Sequence, residues 1–381
     1  MLFDPERHTQ ITTEKWNSQK VLEGIHQIFD FLCAGREENG LWPAHPDEES
    51  DIPFNKSLYN GATGTVWGLL QLSQFLKRDL PFDPQLAAKN IYDSYLAEPD
   101  TGSVVPSVLL GETGVLLLLN KLSPSSEITE KLRKAISANT RNPANEALWG
   151  SPGTMLAALR IGATDLYTTS ADYLFEQWTN PEGDMWIWHQ DLYGMNFKFI
   201  GAGHGFFGNV HALLEGYQLL KPSQQQQLLE RTVETALASA QRENGMANWM
   251  PGFYMKDPRP PLTQWCHGAP GIVTSLRSFP KNHSPELEKL LLEAGETVWA
   301  SGPMKKGVGI CHGTDGNGFA LLRLFERTGN EMWLDRARSF AMHALSQRNG
   351  RYTLWTGEVG LALYLIACIQ NAADFPSLDY F

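Results

Sequence analysis

Seven Gly-x-x-Gly tetrads, spread along the whole chain, constrain its fold more than any other feature. They are Gly61-Ala-Thr-Gly64, Gly111-Glu-Thr-Gly114, Gly150-Ser-Pro-Gly153, Gly205-Phe-Phe-Gly208, Gly268-Ala-Pro-Gly271, Gly313-Thr-Asp-Gly316 and Gly357-Glu-Val-Gly360. Random placement of the chain's 34 glycines would give about three such tetrads. Each opens a mostly apolar run, such as Val115-Leu-Leu-Leu-Leu119 or Leu361-Ala-Leu-Tyr-Leu-Ile366. Intervals of 50, 39, 55, 63, 45 and 44 residues leave room for two helices and their loops in each repeat.

Between the tetrads the pattern is amphipathic. Val21, Leu22, Ile25, Ile28, Phe29 and Leu32 share one helical stripe, as do Trp333, Leu334, Ala337, Phe340, Ala341 and Leu345. Leu287, Leu290, Leu291, Ala294 and Val298 form another, opened by Ser284 as N-cap and Pro285 as first helical residue. The runs after the tetrads are apolar nearly all round, which marks buried helices. Strand-like alternation is scarce. These features predict an all-α fold, an α/α toroid of seven inner and seven outer helices, with residues 1–381 as a single domain. In a closed ring all seven tetrads collect on one rim, where glycine permits close backbone approach and positive φ. Helix N-termini there would bring unpaired N–H groups and partial positive charge. An open solenoid of helical hairpins is the alternative, but it would want more uniform repeats and polar caps at both ends.

Composition narrows the function classes. A formal charge of −11, from 31 basic and 42 acidic residues, argues against nucleic acid or an anionic membrane as main partner. Residues 1–10 lack the apolar core of a secretory signal, and no window approaches a membrane span. Four scattered cysteines (Cys33, Cys266, Cys311 and Cys368) do not make a disulfide framework, so a cytoplasmic location is expected.

Aligning the tetrads exposes the chemistry. Immediately before the first glycine stand Asn60, Leu110, Trp149, His204, His267, His312 and Thr356 in turn. One position earlier, repeats five and six carry Cys266 and Cys311. Thiolate with imidazole selects Zn²⁺ over calcium or magnesium. Cys266, Cys311 and His312 would leave a fourth position open, whereas adding His267 would close a structural Cys₂His₂ site. His204, between two glycines on the same rim, is a candidate proton relay. His211, further into that helix, is expected to hydrogen-bond within the core. Glu112, Asp315 and Glu358 suit the first turn of a helix, while Glu146 is brought towards the rim by Trp149-Gly150. Lys306 precedes repeat six, and Arg259 lies among prolines ahead of Cys266. A basic, aromatic mouth of this kind suits an anionic or peptidic ligand.

Gly203-His204-Gly205-Phe-Phe-Gly208, Trp265-Cys266-His267-Gly268-Ala-Pro-Gly271 and Ile310-Cys311-His312-Gly313-Thr-Asp-Gly316 resemble the lanthionine cyclase (LanC) superfamily, in particular its LanC-like branch. The resemblance implies a zinc held by Cys266, Cys311 and His312, with His204 as acid/base. It further implies addition of a thiol, glutathione or a peptide cysteine, to dehydroalanine or dehydrobutyrine residues of a peptide or protein. Glu146 matches the branch's acidic position, and Lys306 a basic residue linked with glutathione or phosphate. Glu146 and His267 are then candidates to assist His204. Two other readings remain at this point. One is a sugar-processing toroid enzyme, a glycosidase or epimerase, although the matched positions carry His and Cys instead of paired carboxylates. The other is a non-catalytic zinc protein that binds glutathione or peptide.

Overall fold

The computed structural model describes residues 1–381 apart from 49, 256 and 257. Its helices run α1 (Ser18–Ala34), α2 (Ala62–Leu76), α3 (Pro84–Ala97), α4 (Glu112–Leu122), α5 (Ser126–Asn139), α6 (Ser151–Arg160) and α7 (Thr164–Gln177) in the first half. The second half adds α8 (Phe206–Glu215), α9 (Pro222–Ser239), α10 (Ala269–Ser275), α11 (Pro285–Ser301), α12 (Thr314–Thr328), α13 (Glu331–Ala344) and α14 (Glu358–Gln370). Every even-numbered helix begins at a tetrad.

The even helices pack side by side in chain order, and α14 packs on α2 to close the ring. Odd helices sit outside the seams: α5 lies against α4 and α6, α11 against α10 and α12, α13 against α12 and α14, and α1 against α14 and α2. Closure excludes the open solenoid. The fold is the α/α toroid that the repeats predict, and among the described residues no helix is long and apolar enough to cross a membrane.

The two layers start their helices differently. Outer helices use side-chain caps: Asn17 accepts from the Lys20 N–H, Ser125 from Ile128 and Ser284 from Leu287. Inner helices have glycine at the N-cap and no side-chain cap bond. Their first N–H groups are instead satisfied by the loop just before them. The Ala62, Glu112, Phe206, Thr314 and Glu358 N–H groups donate to carbonyls seven residues earlier, at 2.9–3.1 Å, and Ala269 donates to the Asn248 side chain. At these six starts the first N–H is therefore paired, where the helix count predicts unpaired groups.

That doubled-back loop explains the glycines. A Cβ on Gly64 would sit 2.3 Å from the Leu58 carbonyl oxygen, and one on Gly316 2.2 Å from that of Ile310, six residues back in both cases. Close approach is what the tetrads require. The positive φ expected alongside it occurs at one tetrad glycine among those described, Gly268 (φ 107°).

Two small hairpins escaped the sequence reading. β1 (Gln190–Leu192) pairs with β2 (Met195–Phe197) ahead of α8, and β3 (Gln241–Glu243) with β4 (Met246–Asn248) ahead of α10. The second turns at Asn244-Gly245, both with positive φ as a two-residue hairpin demands. After α14 the chain returns into the ring. Phe375 stacks on Trp265 (5.3 Å between centroids) and lies 5.9 Å from Trp355, so it fills the axis beneath the rim.

Candidate metal centre

Two residues ahead of the tetrads, adjacent turns are stitched into a belt by backbone hydrogen bonds. The Gly203 N–H donates to the Cys266 carbonyl (3.4 Å), Cys266 to Cys311 (3.1 Å) and Cys311 to Trp355 (3.0 Å). Trp355 then donates to Tyr59 (3.2 Å) and Tyr59 to Leu109 (2.9 Å). Across the next seam the Ser107 hydroxyl donates to the Leu148 carbonyl (2.6 Å). Cys266 and Cys311 thus occupy neighbouring places on one belt. A second pair of bonds, Gln264 N–H to the His267 carbonyl (3.1 Å) and His267 N–H back to Gln264 (3.2 Å), fixes the turn that presents Cys266.

One donor atom each from Cys266, Cys311 and His312 lies within 4.8 Å of the other two. A tetrahedral zinc with bonds of about 2.0–2.3 Å would draw such donors somewhat closer, to about 3.3–3.8 Å. Two sulfurs and one imidazole are a donor set that suits zinc, and both cysteines are free of disulfides. His267 lies outside this cluster: its ring stacks on His204 (5.9 Å, 21°) and faces Phe199 (5.5 Å). Cys266, Cys311 and His312 are thus the donors brought together here, without His267.

The electrostatics suit ligation. Cys266 and Cys311 are hydrogen-bonded to each other; that bond brings Cys266 down to about 7, against its burial, helped by His204, Gln264 and Lys306. Cys311 is correspondingly pushed up, by the same bond and by burial. Burial, with nearby Lys306, lowers His312 to about 4, so its imidazole is in the neutral form a metal requires. Each sulfur also meets one side-chain donor. Gln264 Nε2 donates to Cys266 Sγ at 3.0 Å, and the Tyr59 hydroxyl hydrogen-bonds the Cys311 sulfur.

Next to the sulfurs, His204 Nδ1 lies 3.0 Å from Glu146 Oε2. Glu146 is fully buried and accepts the Leu148 N–H (3.0 Å) and the Trp149 N–H. The turn that holds it passes through Asn145 at φ 44°, whose carbonyl accepts from Asn209 Nδ2 (2.8 Å). Burial opposes charge on His204, but the Glu146 bond and charge, with Cys266 nearby, lift it above its ordinary value. His267 is pushed down to about 3 by burial and by His204. A cavity of about 470 Å³ opens beside the cluster, lined by His312, Tyr59, Lys306, Arg351 and Glu48. Arg259 lines a different, smaller cavity of about 200 Å³ with Asp4, Arg7 and Leu262. The structure therefore brings Lys306 to the centre and sets Arg259 apart from it.

A family model for lanthionine synthetase C-like proteins matches residues 52–380. The chain belongs to that family. Over 204 residues it is 28% identical to the glutathione S-transferase LANCL1 of Danio rerio, covering 51% of this chain and 48% of that protein. It is 32% identical over 150 residues to the LanC-like protein GCL1 of Arabidopsis thaliana, covering 38% and 32% respectively. The chain thus spans about half, or less, of the length of these relatives. Among solved structures it resembles nisin cyclase, with TM-score 0.61 and 15% identity over 92% of this chain and 93% of that one. It also resembles an unsaturated glucuronyl hydrolase from Streptococcus agalactiae, with TM-score 0.51 and 11% identity over 99% and 98%. Identities this low speak for the toroid alone.

In this LanC-like chain, sequence reasoning missed Tyr59 and Gln264. Tyr59 was accessible in principle, because it stands two residues before Gly61, the register that places Cys266 and Cys311. Gln264 carries no such signal, and only the turn it closes with His267 reveals it.

Proposed function

We propose that this chain is a zinc-dependent enzyme that adds a thiol, from glutathione or a peptide cysteine, to a dehydroalanine or dehydrobutyrine residue. The observation that carries this reading is a two-sulfur, one-imidazole cluster beside a buried His–Glu pair on one rim. The name of one similar protein, a glutathione S-transferase, supports it. Cys266, Cys311 and His312 would hold the zinc, which would supply the charge that keeps a thiol as thiolate near neutral pH.

The chain's own groups do the rest. Attack of sulfur on the acceptor's β-carbon makes the C–S bond and moves an electron pair onto the carbonyl, leaving an enolate. His204 delivers a proton to Cα, and Glu146, 3.0 Å from Nδ1, orients the ring and stabilises its charged form. The proton lost by the thiol balances the one gained at Cα. His267, neutral beside His204, packs the ring in place without adding a second charge. Lys306 offers a cation to carboxylates of the thiol donor in the cavity, and Arg259 would meet only a longer ligand that reaches the neighbouring one. Residues 1–381 act as one toroidal domain, and centre thiols kept reduced suit the cytoplasm.

The test is incubation of purified protein with glutathione and a dehydroalanine peptide, read by mass spectrometry with and without a chelator. A glutathione adduct that disappears on metal removal is expected. No adduct above the uncatalysed background, with metal loaded, would overturn the reading.

A further inference from the structure

α8 starts on the rim beside His204 and ends at the opposite mouth of the ring. There it presents His211 and Glu215, four residues apart and so on one helix face. They meet Asp379, from the segment that follows α14, and one donor atom of each lies within 4.8 Å of the others. The core hydrogen bond expected of His211 is not made. Both ring nitrogens are buried without a hydrogen-bond partner, the residue is 4% exposed, and Asp379 Oδ1 is likewise buried and unpartnered. His211 Nε2 and Asp379 Oδ1 approach to 3.6 Å, too far for a hydrogen bond. An unpaired buried polar group is costly, about 1–3 kcal/mol.

The two carboxylates are each gripped by one oxygen. Asp379 Oδ2 accepts from Arg323 and from the Phe375 N–H (2.6 Å) and is ion-paired with Arg277 (3.1 Å), and Glu215 Oε1 accepts from the Ser278 hydroxyl (2.6 Å). Such outer bonds orient ligating carboxylates and keep their remaining lone pairs available. Charge also permits a cation. Glu215, Glu326, Asp374 and Asp379 interact here with Arg160, Arg277 and Arg323, four negative charges against three positive ones.

We propose that His211, Glu215 and Asp379 form a second metal site, distinct from the thiolate cluster. Its single imidazole and two carboxylates suit a divalent ion such as Zn²⁺ or Mn²⁺. The ion fastens residues 372–381 to α8 and so holds Phe375 beneath Trp265 and Trp355, the residues that flank the cysteine belt.

Metal analysis of the zinc-loaded protein after desalting is expected to find two equivalents per chain, falling to one in Glu215→Gln and in His211→Gln. Cobalt loading separates the sites: thiolate charge-transfer absorption reports the rim, and an equivalent that adds only weak d–d bands reports the base. Hydrogen exchange of residues 372–381 should speed up in both variants while the rim keeps its thiolate absorption. One equivalent in the wild-type chain, with either zinc or manganese, overturns the proposal. So do two equivalents retained in both variants. The wild-type stoichiometry and cobalt spectrum decide the matter even if a variant fails to fold.

Discussion

Cys266 and Cys311 occupy the same belt positions as Tyr59, Leu109 and Trp355, with the same backbone hydrogen bonds to the neighbouring turns. Yet two of these places carry sulfur and the others carry apolar or aromatic side chains. The difference teaches that the belt is indifferent to the side chain, because the backbone makes it. Two adjacent places can therefore be given to ligands without disturbing closure. The tetrad glycines, two and five residues further on, are the opposite case: their missing side chains make room for a carbonyl, and nothing else fits.

The contrast is sharpest for Cys311→Ser against Gly316→Ala. The serine variant should lose the rim metal and all thiol addition while its melting temperature falls by only a few degrees, as measured by metal analysis and circular dichroism. The alanine variant, with a Cβ 2.2 Å from the Ile310 oxygen, should lose ~3 kcal/mol of stability. Equal stability losses in the two would break the comparison.

His204→Gln should lower turnover by about 10²–10⁴-fold with the rim metal retained. Glu146 holds the His204 value up. The donor form is present at lower pH and lost as pH rises through that raised value, so Glu146→Gln should move the alkaline limb of the rate profile to lower pH. An unmoved limb would remove Glu146 from the proton path.

Asp315, in the sixth tetrad, tests the scaffold side. Burial raises its carboxyl to about 7, against the Gly309 N–H bond. The folded chain keeps this proton up to about pH 7, whereas the unfolded chain releases it near 3.8. Stability should therefore fall as pH climbs across that window. Asp315→Asn should be more stable than the parent at pH 8, on the order of 1–4 kcal/mol, and not at pH 4; denaturant melts at the two pH values decide. The smallest effect is expected at Lys306→Ala: a several-fold rise in KM for glutathione with kcat little changed.

Much of this was legible in the chain. The stripes along α1, α11 and α13, the Ser284 cap and the seven inner starts follow from patterns only a few residues long. The Cys-His pairs stood out because repetition places them in register. What was not legible involves partners from distant segments. The carbonyls that take up the rim N–H groups belong to irregular loops without periodicity. The hairpin at Asn244-Gly245 is too short to alternate visibly. Arg259 sits near Cys266 in sequence but lines another cavity.

The chain alone determined that seven glycine-started helices would be buried and that two cysteines and a histidine would stand at equivalent starts. Those properties depend on local sterics and on hydrophobic period. Only the closed ring decided which donors reach the sulfurs, that His204 pairs with Glu146 instead of a metal, and that His211 faces Asp379 across the base. Such meetings depend on how α2 and α14 close the circle, a global packing outcome that no single segment encodes.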